Sequence, residues 1–472
     1  MDRDEYRTTL DRLFRRRRFG MRPGLAVIRA LLDELGNPER SFPAIHITGS
    51  KGKGSVAAMA QAMLSAHGVS VGLFTSPHLV SYRERIRVDG RMIPPKAVAE
   101  GIRRIDRVGE ELERSGRIDR APTFFEVTTA LAFDWFRAQR VRAAVVEVGI
   151  GGRLDATNVL DARVGVITTI ELEHTDVLGP TVGAIAREKS GILHAGMTGI
   201  VGELAPEAAA VVESEARRLG VPLWHLAKEV AVEDRALEES GQTFAVRTPV
   251  AFRSGLALPL LGRFQPPNAA LAVAAVDRLA ASIDLPLDEE KLRSGLRSVR
   301  WPGRLERVGR RPEVYFDVAH TPESARAVAQ SLAEVAPLAE PSQCAVLFGC
   351  LRDKDVRRIL DAFAPLARTL VIVPVRSERG LPPAELRAAA IGRFSRIVLA
   401  PAAAEGLKLA RAATGPDGYT LVAGSDYLVG ELLRGSRASE EPDLSDPGLG
   451  PPAPVAASHV PGAGGAAARE AE

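Results

Sequence analysis

HITGSKGKGSVAAMA, residues 46–60, places Gly49, Gly52 and Gly54 between an apolar run and a stretch with helical spacing. Glycine is the common residue least able to hold a chain in one conformation, so its recurrence at this junction needs a reason. Ahead of it, AIHIT (44–48) reads as a buried strand. Behind it, Val56, Met59, Ala60, Met63 and Leu64 recur at helical spacing, and Gly68 stands where that helix should end. Between a strand and a helix, glycines let successive backbone N–H groups converge on an anion, and the helix N-terminus adds positive potential. Lys53 supplies a full charge, and Ser55 a hydroxyl suited to a magnesium ion. The spacing is Gly49-x-x-Gly52-Lys53-Gly54-Ser55 rather than GxxxxGK[ST]. The stretch reads as a phosphate loop.

Outward from the loop, short apolar runs alternate with longer helical patterns, the signature of a parallel α/β sheet. VSVGLF (69–74), AAVVEV (143–148) and VGVITT (164–169) are further strand candidates. A second block begins near Trp301, after RSVRWPGR, and carries VYFDVA (314–319), AVLFG (345–349), LVIVPV (370–375), RIVLA (396–400) and TLVAGS (420–425). A chain of 472 residues exceeds what one core usually organises. The expected fold is α/β: a P-loop parallel-sheet ATPase domain over 1–298, then a smaller Rossmann-like α/β domain over 299–434. Residues 435–472 are rich in Pro, Gly, Ala and Ser with few bulky apolar side chains, and are expected to be disordered.

Composition excludes several classes. With 62 basic and 59 acidic residues the formal net charge is +3, which gives no argument for nucleic acid or a membrane surface. No apolar run approaches the ~18 residues of a membrane span, and MDRDEYRTTL is too charged for a signal peptide. Arg15 to Arg18 reads as a solvated helix face. Cys344 and Cys350 flank AVLFG and read as buried thiols in a reducing cytoplasm. Only eight of the 62 basic residues are Lys, so a retained Lys is less easily explained by solubility alone.

Three more stretches bear chemistry. TSPHL (75–79) follows the second strand. VVEVGIGGRLDATN (145–158) puts Glu147 near the carboxyl end of a strand, and ITTIELEHTDVLG (167–179) does similarly with Glu173 and His174. Ligand groups of open α/β sheets gather at the carboxyl ends of strands. Ser76, Glu147 and His174 are therefore candidates to meet beside the phosphate loop, where oxygen and imidazole donors suit Mg²⁺ or Mn²⁺. Taken singly, His174 reads equally as a capping or packing residue.

HITGSKGKGSV, TSPHL with ERIRVDG, TFFEVTTALAF, VEVGIGGRLDATN, REKSGI, LGRFQPPNAALA, WPGRLE, FDVAHTP and GSDYLVGE follow one another from about Phe19 to Leu433. In that order the chain resembles the folylpolyglutamate synthase/dihydrofolate synthase branch of the Mur ligase family. The resemblance implies an ATP-dependent ligase that phosphorylates a carboxylate and lets the amino group of L-glutamate attack the acyl phosphate. Its acceptors would be dihydropteroate and tetrahydrofolate, and Mg²⁺ its metal. It implies ATP contacts at Ser50, Lys51, Gly52, Lys53, Gly54, Ser55, Asn268, Arg304 and Asp317, and metal ligands at Ser76, Glu147 and His174. Pterin-substrate contacts fall at Thr123, Phe124, Phe125, Glu126, Leu154, Asp155 and Ala156. Lys53, Lys189 and His320 would be catalytic, Lys189 as a carbamate formed with CO₂, a reaction open to an amine and closed to guanidinium. A cytoplasmic monomer is expected.

The chain departs from the family pattern in three places. Ser50-Lys51 replaces Thr-Asn, Glu173 replaces Asp before the metal histidine, and Thr321 replaces Asn in AHNP. Lys51 would then either add charge at the phosphates or point to water. Thr321 suits an N-cap for a helix beginning at Pro322, and Asn268 has an N-cap reading of its own. Two rival functions remain: a Mur-type ligase for another carboxylate, and a nucleotide-binding homologue that has lost activity.

Overall fold

The apolar runs become the strands of two separate sheets in the computed structural model, which describes residues 3–16, 24–238, 240–337 and 339–437. The first sheet contains β1 (Ala44–Thr48), β2 (Val71–Phe74), β3 (Ile86–Val88), β4 (Arg91–Met92), β5 (Ala143–Glu147), β6 (Val164–Ile167), β7 (Thr198–Val201) and β8 (Leu223–His225). Their order is β4-β3-β2-β5-β1-β6-β7-β8, parallel from β2 to β8, with β3 and β4 added as antiparallel strands at one edge. β1, β5 and β6 are buried along their whole length, as expected of parallel strands covered on both faces.

The chain leaves β1 toward β2 on one side, whereas β6 lies on the other. This reversal sets the crevice at the carboxyl end of β1, directly where the glycine loop emerges. The helix Lys53–Ala66 follows the loop, with His67 as its C-cap and Gly68 beyond it at φ +77°.

The helix Gln265–Ser282 is apolar around most of its circumference because it is covered twice. One face meets the large sheet. The other meets a three-stranded antiparallel sheet, order β11-β10-β9, formed by β9 (Ala231–Glu238), β10 (Gly241–Arg247) and β11 (Phe252–Leu258). Asn268 lies within this helix, whose N-cap is Phe264, so the N-cap reading of Asn268 is corrected.

The third sheet holds β12 (Glu306–Arg310), β13 (Glu313–Phe316), β14 (Ala345–Phe348), β15 (Thr369–Ile372), β16 (Arg396–Leu399) and β17 (Tyr419–Ala423). Its order is β12-β13-β17-β14-β15-β16, with only β12 antiparallel. Both thiols that flank β14 are buried and free. Two expectations change. Arg15 is exposed, but Arg16 is no solvated face: its guanidinium donates to Asp106 and to the Pro122 carbonyl, both at 2.8 Å. The helix Asp426–Arg437 runs through 435–437, into the stretch expected to be disordered, and 438–472 lie outside the described residues.

Candidate active site

The loop after β1 is shaped by two left-handed glycines and stapled to the strand beside it. Gly49 (φ +148°) and Gly52 (φ +85°) adopt conformations that L side chains avoid. A side chain at either would also strike a neighbour, Thr168 at Gly49 and Asn268 at Gly52. Four hydrogen bonds then fix the loop to the segment after β6. Ser50 N donates to the Thr169 carbonyl (2.8 Å), and Lys51 N to Thr169 Oγ1 (2.9 Å). Thr168 Oγ1 donates to the Lys51 carbonyl (2.5 Å), and Glu171 N to Ser50 Oγ (2.9 Å). Lys53 folds back so that Nζ donates to the Gly49 carbonyl at 2.8 Å.

Lys51 is half-buried and faces a carboxylate. Its ammonium lies 3.7 Å from Glu173 Oε2, while Lys189 Nζ donates to Glu173 Oε1 at 2.9 Å. Burial would raise the Glu173 carboxyl, and the surrounding Lys189, Lys53 and Lys51 charges overcome it and hold the group below its ordinary range. Lys189 is only 1 % exposed, and burial lowers its pKa against the pull of Glu173. Its ammonium turns inward to Glu173, and the end of its helix, Val182–Ser190, is met by the GGRLDATN loop. Arg153 N donates to the Glu188 carbonyl (2.8 Å) and Asn158 Nδ2 to the Gly191 carbonyl (2.9 Å).

One cavity of about 850 Å³ collects these parts, toward the upper end of small-molecule sites at roughly 300–1,000 Å³. From the first unit it is lined by Ser50 to Ser55, Ser76, Glu147, His174 and Asn268, by Thr123 to Glu126 and by Leu154 to Ala156. From the second come Arg304, Asp317, His320 and the first turns of the helix Pro322–Val335. Lys189 sits just behind this wall.

Ser76 N donates to Glu147 Oε2 at 2.9 Å. Burial raises the Glu147 carboxyl, with Lys53 countering, and no basic side chain among the described residues reaches ion-pair distance of it. His174, in the left-handed region at φ +47°, is kept neutral by burial. Among the described residues no three His, Cys, Asp or Glu side chains form a metal cluster. The expected set is one hydroxyl, one carboxylate and one imidazole, which would leave room for phosphate oxygens. A buried, unpaired carboxylate at a phosphate loop fits a hard divalent cation.

Several expected substrate contacts are engaged within the chain. Thr123 caps the helix Phe124–Ala138 in a reciprocal box with Glu126, whose carboxylate also takes two hydrogen bonds from Arg120 at 2.8 and 2.9 Å. Asp155 accepts from Gly149 N, Ile150 N, Thr157 N and Thr157 Oγ1. These hydrogen bonds shape the wall, and Phe124 and Phe125 line the cavity beside them. The buried Arg85 guanidinium stands 5.3 Å over the Phe124 ring. That residue went unread in the sequence because only the fold brings it to Phe124.

Opposite, Asp317 accepts from Leu305 N and Ala319 N, both at 2.7 Å. Burial pushes its carboxyl up to about 6, with Arg304 countering. His320 Nδ1 lies 2.8 Å from the Val318 carbonyl. A carbonyl only accepts, so Nδ1 carries the proton and Nε2 is left as a base, and burial keeps the ring neutral. Thr321 caps the following helix as its sequence position suggested.

The Mur ligase middle domain family matches residues 47–276, and the Mur ligase glutamate ligase domain matches residues 303–426. Together with the cavity between the two units, they define an ATP-dependent ligase of the Mur type. The dihydrofolate synthase/folylpolyglutamate synthase of Mycobacterium tuberculosis is 38% identical over 384 residues, covering 79% of this chain and 78% of that protein. The crystal structure of Mycobacterium tuberculosis folylpolyglutamate synthase complexed with ADP and AMPPCP matches with a TM-score of 0.84 at 35% identity, over 92% of this chain and 99% of that one. Escherichia coli FolC in complex with DHPP and ADP matches with a TM-score of 0.77 at 30% identity, over 89% and 95%. The chain belongs to the folylpolyglutamate synthase/dihydrofolate synthase family.

Proposed function

We propose that this ligase adds L-glutamate to reduced folates and to dihydropteroate through an acyl phosphate, as a cytoplasmic monomer. The observation that carries the reading is the single cavity in which a phosphate loop, a buried carboxylate and an aromatic wall face a basic histidine from the second unit. A carboxylate does not condense with an amine in water unless activated. Transfer of the γ-phosphoryl group forms a bond from a substrate carboxylate oxygen to phosphorus as the bond to ADP breaks. Lys53 neutralises charge on the group in flight, which is mostly electrostatic and positioning work. The glutamate amine then attacks the acyl carbon, inorganic phosphate leaves, and the amine sheds a proton that His320 Nε2 would take. Phe124 and Phe125 give a flat pterin ring an apolar wall. Closure between the two units would shield the acyl phosphate from water.

Ser76, Glu147 and His174 would hold Mg²⁺, which when bound neutralises phosphate oxygens. Lys189 would join them as a carbamate: the ammonium first gives up one proton, the free amine nitrogen bonds to the carbon of CO₂, a second proton leaves, and a cation becomes an anionic oxygen ligand. Its burial and depressed basicity support that reading.

The test is a substrate panel with ATP, Mg²⁺ and glutamate, scored by mass spectrometry of the products. Both dihydropteroate and tetrahydrofolate are expected to gain a glutamate. Product from reduced folates alone would remove the dihydropteroate half of the proposal. ATP binding without turnover on any folate would favour the inactive homologue.

A further inference from the structure

We propose that Trp301 is a positioning residue for the nucleotide site, anchoring the connection between the two α/β units on the phosphate-loop helix. The proposal rests on residues 49–55 being the phosphate loop.

It begins with Gly54, whose glycine needs an explanation. Gly54 is second in the helix Lys53–Ala66 and is absent from the residues with positive φ, so backbone conformation does not demand it. Space does. A Cβ at Gly54 would stand 2.8 Å from Trp301 Cζ2 and 3.1 Å from Nε1, closer than carbon atoms pack. The indole therefore lies against the bare backbone of the loop helix. The Arg87 guanidinium lies 5.8 Å from its ring centroid, and the ring packs on the core that holds Val56 and Val299.

Two residues further on, the chain already belongs to the second unit. Val318 N donates to the Gly303 carbonyl (3.1 Å), Gly303 N to Glu306 Oε2 (3.0 Å) and Leu305 N to Asp317 Oδ2 (2.7 Å). The changeover takes place at Pro302, whose ring fixes φ. Arg304, two residues after it, lines the cavity and bears electrostatically on both Glu147 and Asp317. A strap this short sets where Arg304 enters the cleft relative to the phosphates. Trp301 does not line the cavity and acts through Gly54 and Arg304.

The experiment is a double-variant cycle read as KM for ATP and kcat separately, with nucleotide affinity by calorimetry. Gly54→Ala is expected to lower kcat/KM for ATP roughly 100-fold, the scale of an ångström-level displacement at a reacting centre. Trp301→Ala is expected to raise KM for ATP more than it lowers kcat, and Trp301→Phe to stay near the parent. The decisive variant is Gly54→Ala/Trp301→Ala, in which the new methyl occupies space the indole has left. It should match the Trp301→Ala single, recovering most of what Gly54→Ala loses. Multiplying losses would mean that Gly54 serves the phosphates directly, and would overturn the proposal. Should Gly54→Ala not fold, equal KM values in Trp301→Ala and Trp301→Phe would overturn it instead. Lys53→Ala run alongside separates the two readings: an active Lys53→Ala sinks the phosphate loop, whereas an inactive one with a multiplicative cycle sinks only the anchor.

Discussion

Lys53→Ala is expected to abolish most glutamate-dependent ADP release while leaving the melting temperature close to that of the parent. The ammonium of Lys53 lies over the loop on the Gly49 carbonyl, and its charge is felt by Glu147, Glu173 and His174. On the proposed function it would stand where charge builds during phosphoryl transfer. Removing one such preorganised stabiliser costs about 3 kcal/mol or more, a factor of hundreds in turnover. The fold has little at stake, because the side chain's one hydrogen bond is to a local carbonyl. Lys51→Ala is expected to cost much less, since its charge is directed at Glu173. Near-normal turnover in Lys53→Ala would remove the phosphate-loop assignment.

Lys189→Arg should be as damaging for a different reason. The substitution keeps a cation but cannot form a carbamate, and loss of a metal-site oxygen is expected to reduce activity roughly 100-fold or more. The site is 1 % exposed, so the larger guanidinium must also be accommodated, at a cost of about 1–3 kcal/mol of stability. A second variant therefore keeps the test clean: Lys189→Ala, with acetate added, should regain part of the lost activity as the small carboxylate fills the vacated place. Parent activity is expected to fall in CO₂-depleted buffer and return with bicarbonate. Lys189→Arg that retains most activity would end the carbamate reading.

The loop, the strands and the two-sheet architecture were legible because each is a local pattern: apolar runs, glycines at a junction, helical spacing. The antiparallel sheet at 231–258 was not. Its outer strand, AVEDRALE, is largely exposed, so it carries no apolar signature to read. Arg16 was misread because its partner, Asp106, lies on a helix far along the chain. At the site, the motifs located the walls but not the allegiance of individual atoms. Thr123, Glu126 and Asp155 are expected ligand contacts in sequence; in the fold they line the cavity, and their oxygens also hold helix starts and loop backbones together. Lys51 could not be placed from the loop alone, since its partner Glu173 is supplied by the segment after β6.

Because one oxygen of Glu173 faces Lys189 and the other faces Lys51, these three positions form a single unit of sequence change. Carbamate formation at Lys189 would turn its attraction for Glu173 into repulsion, leaving Lys51 and Lys53 as the cations that hold the carboxylate. A change at any one of the three positions therefore alters the charge balance met by the other two.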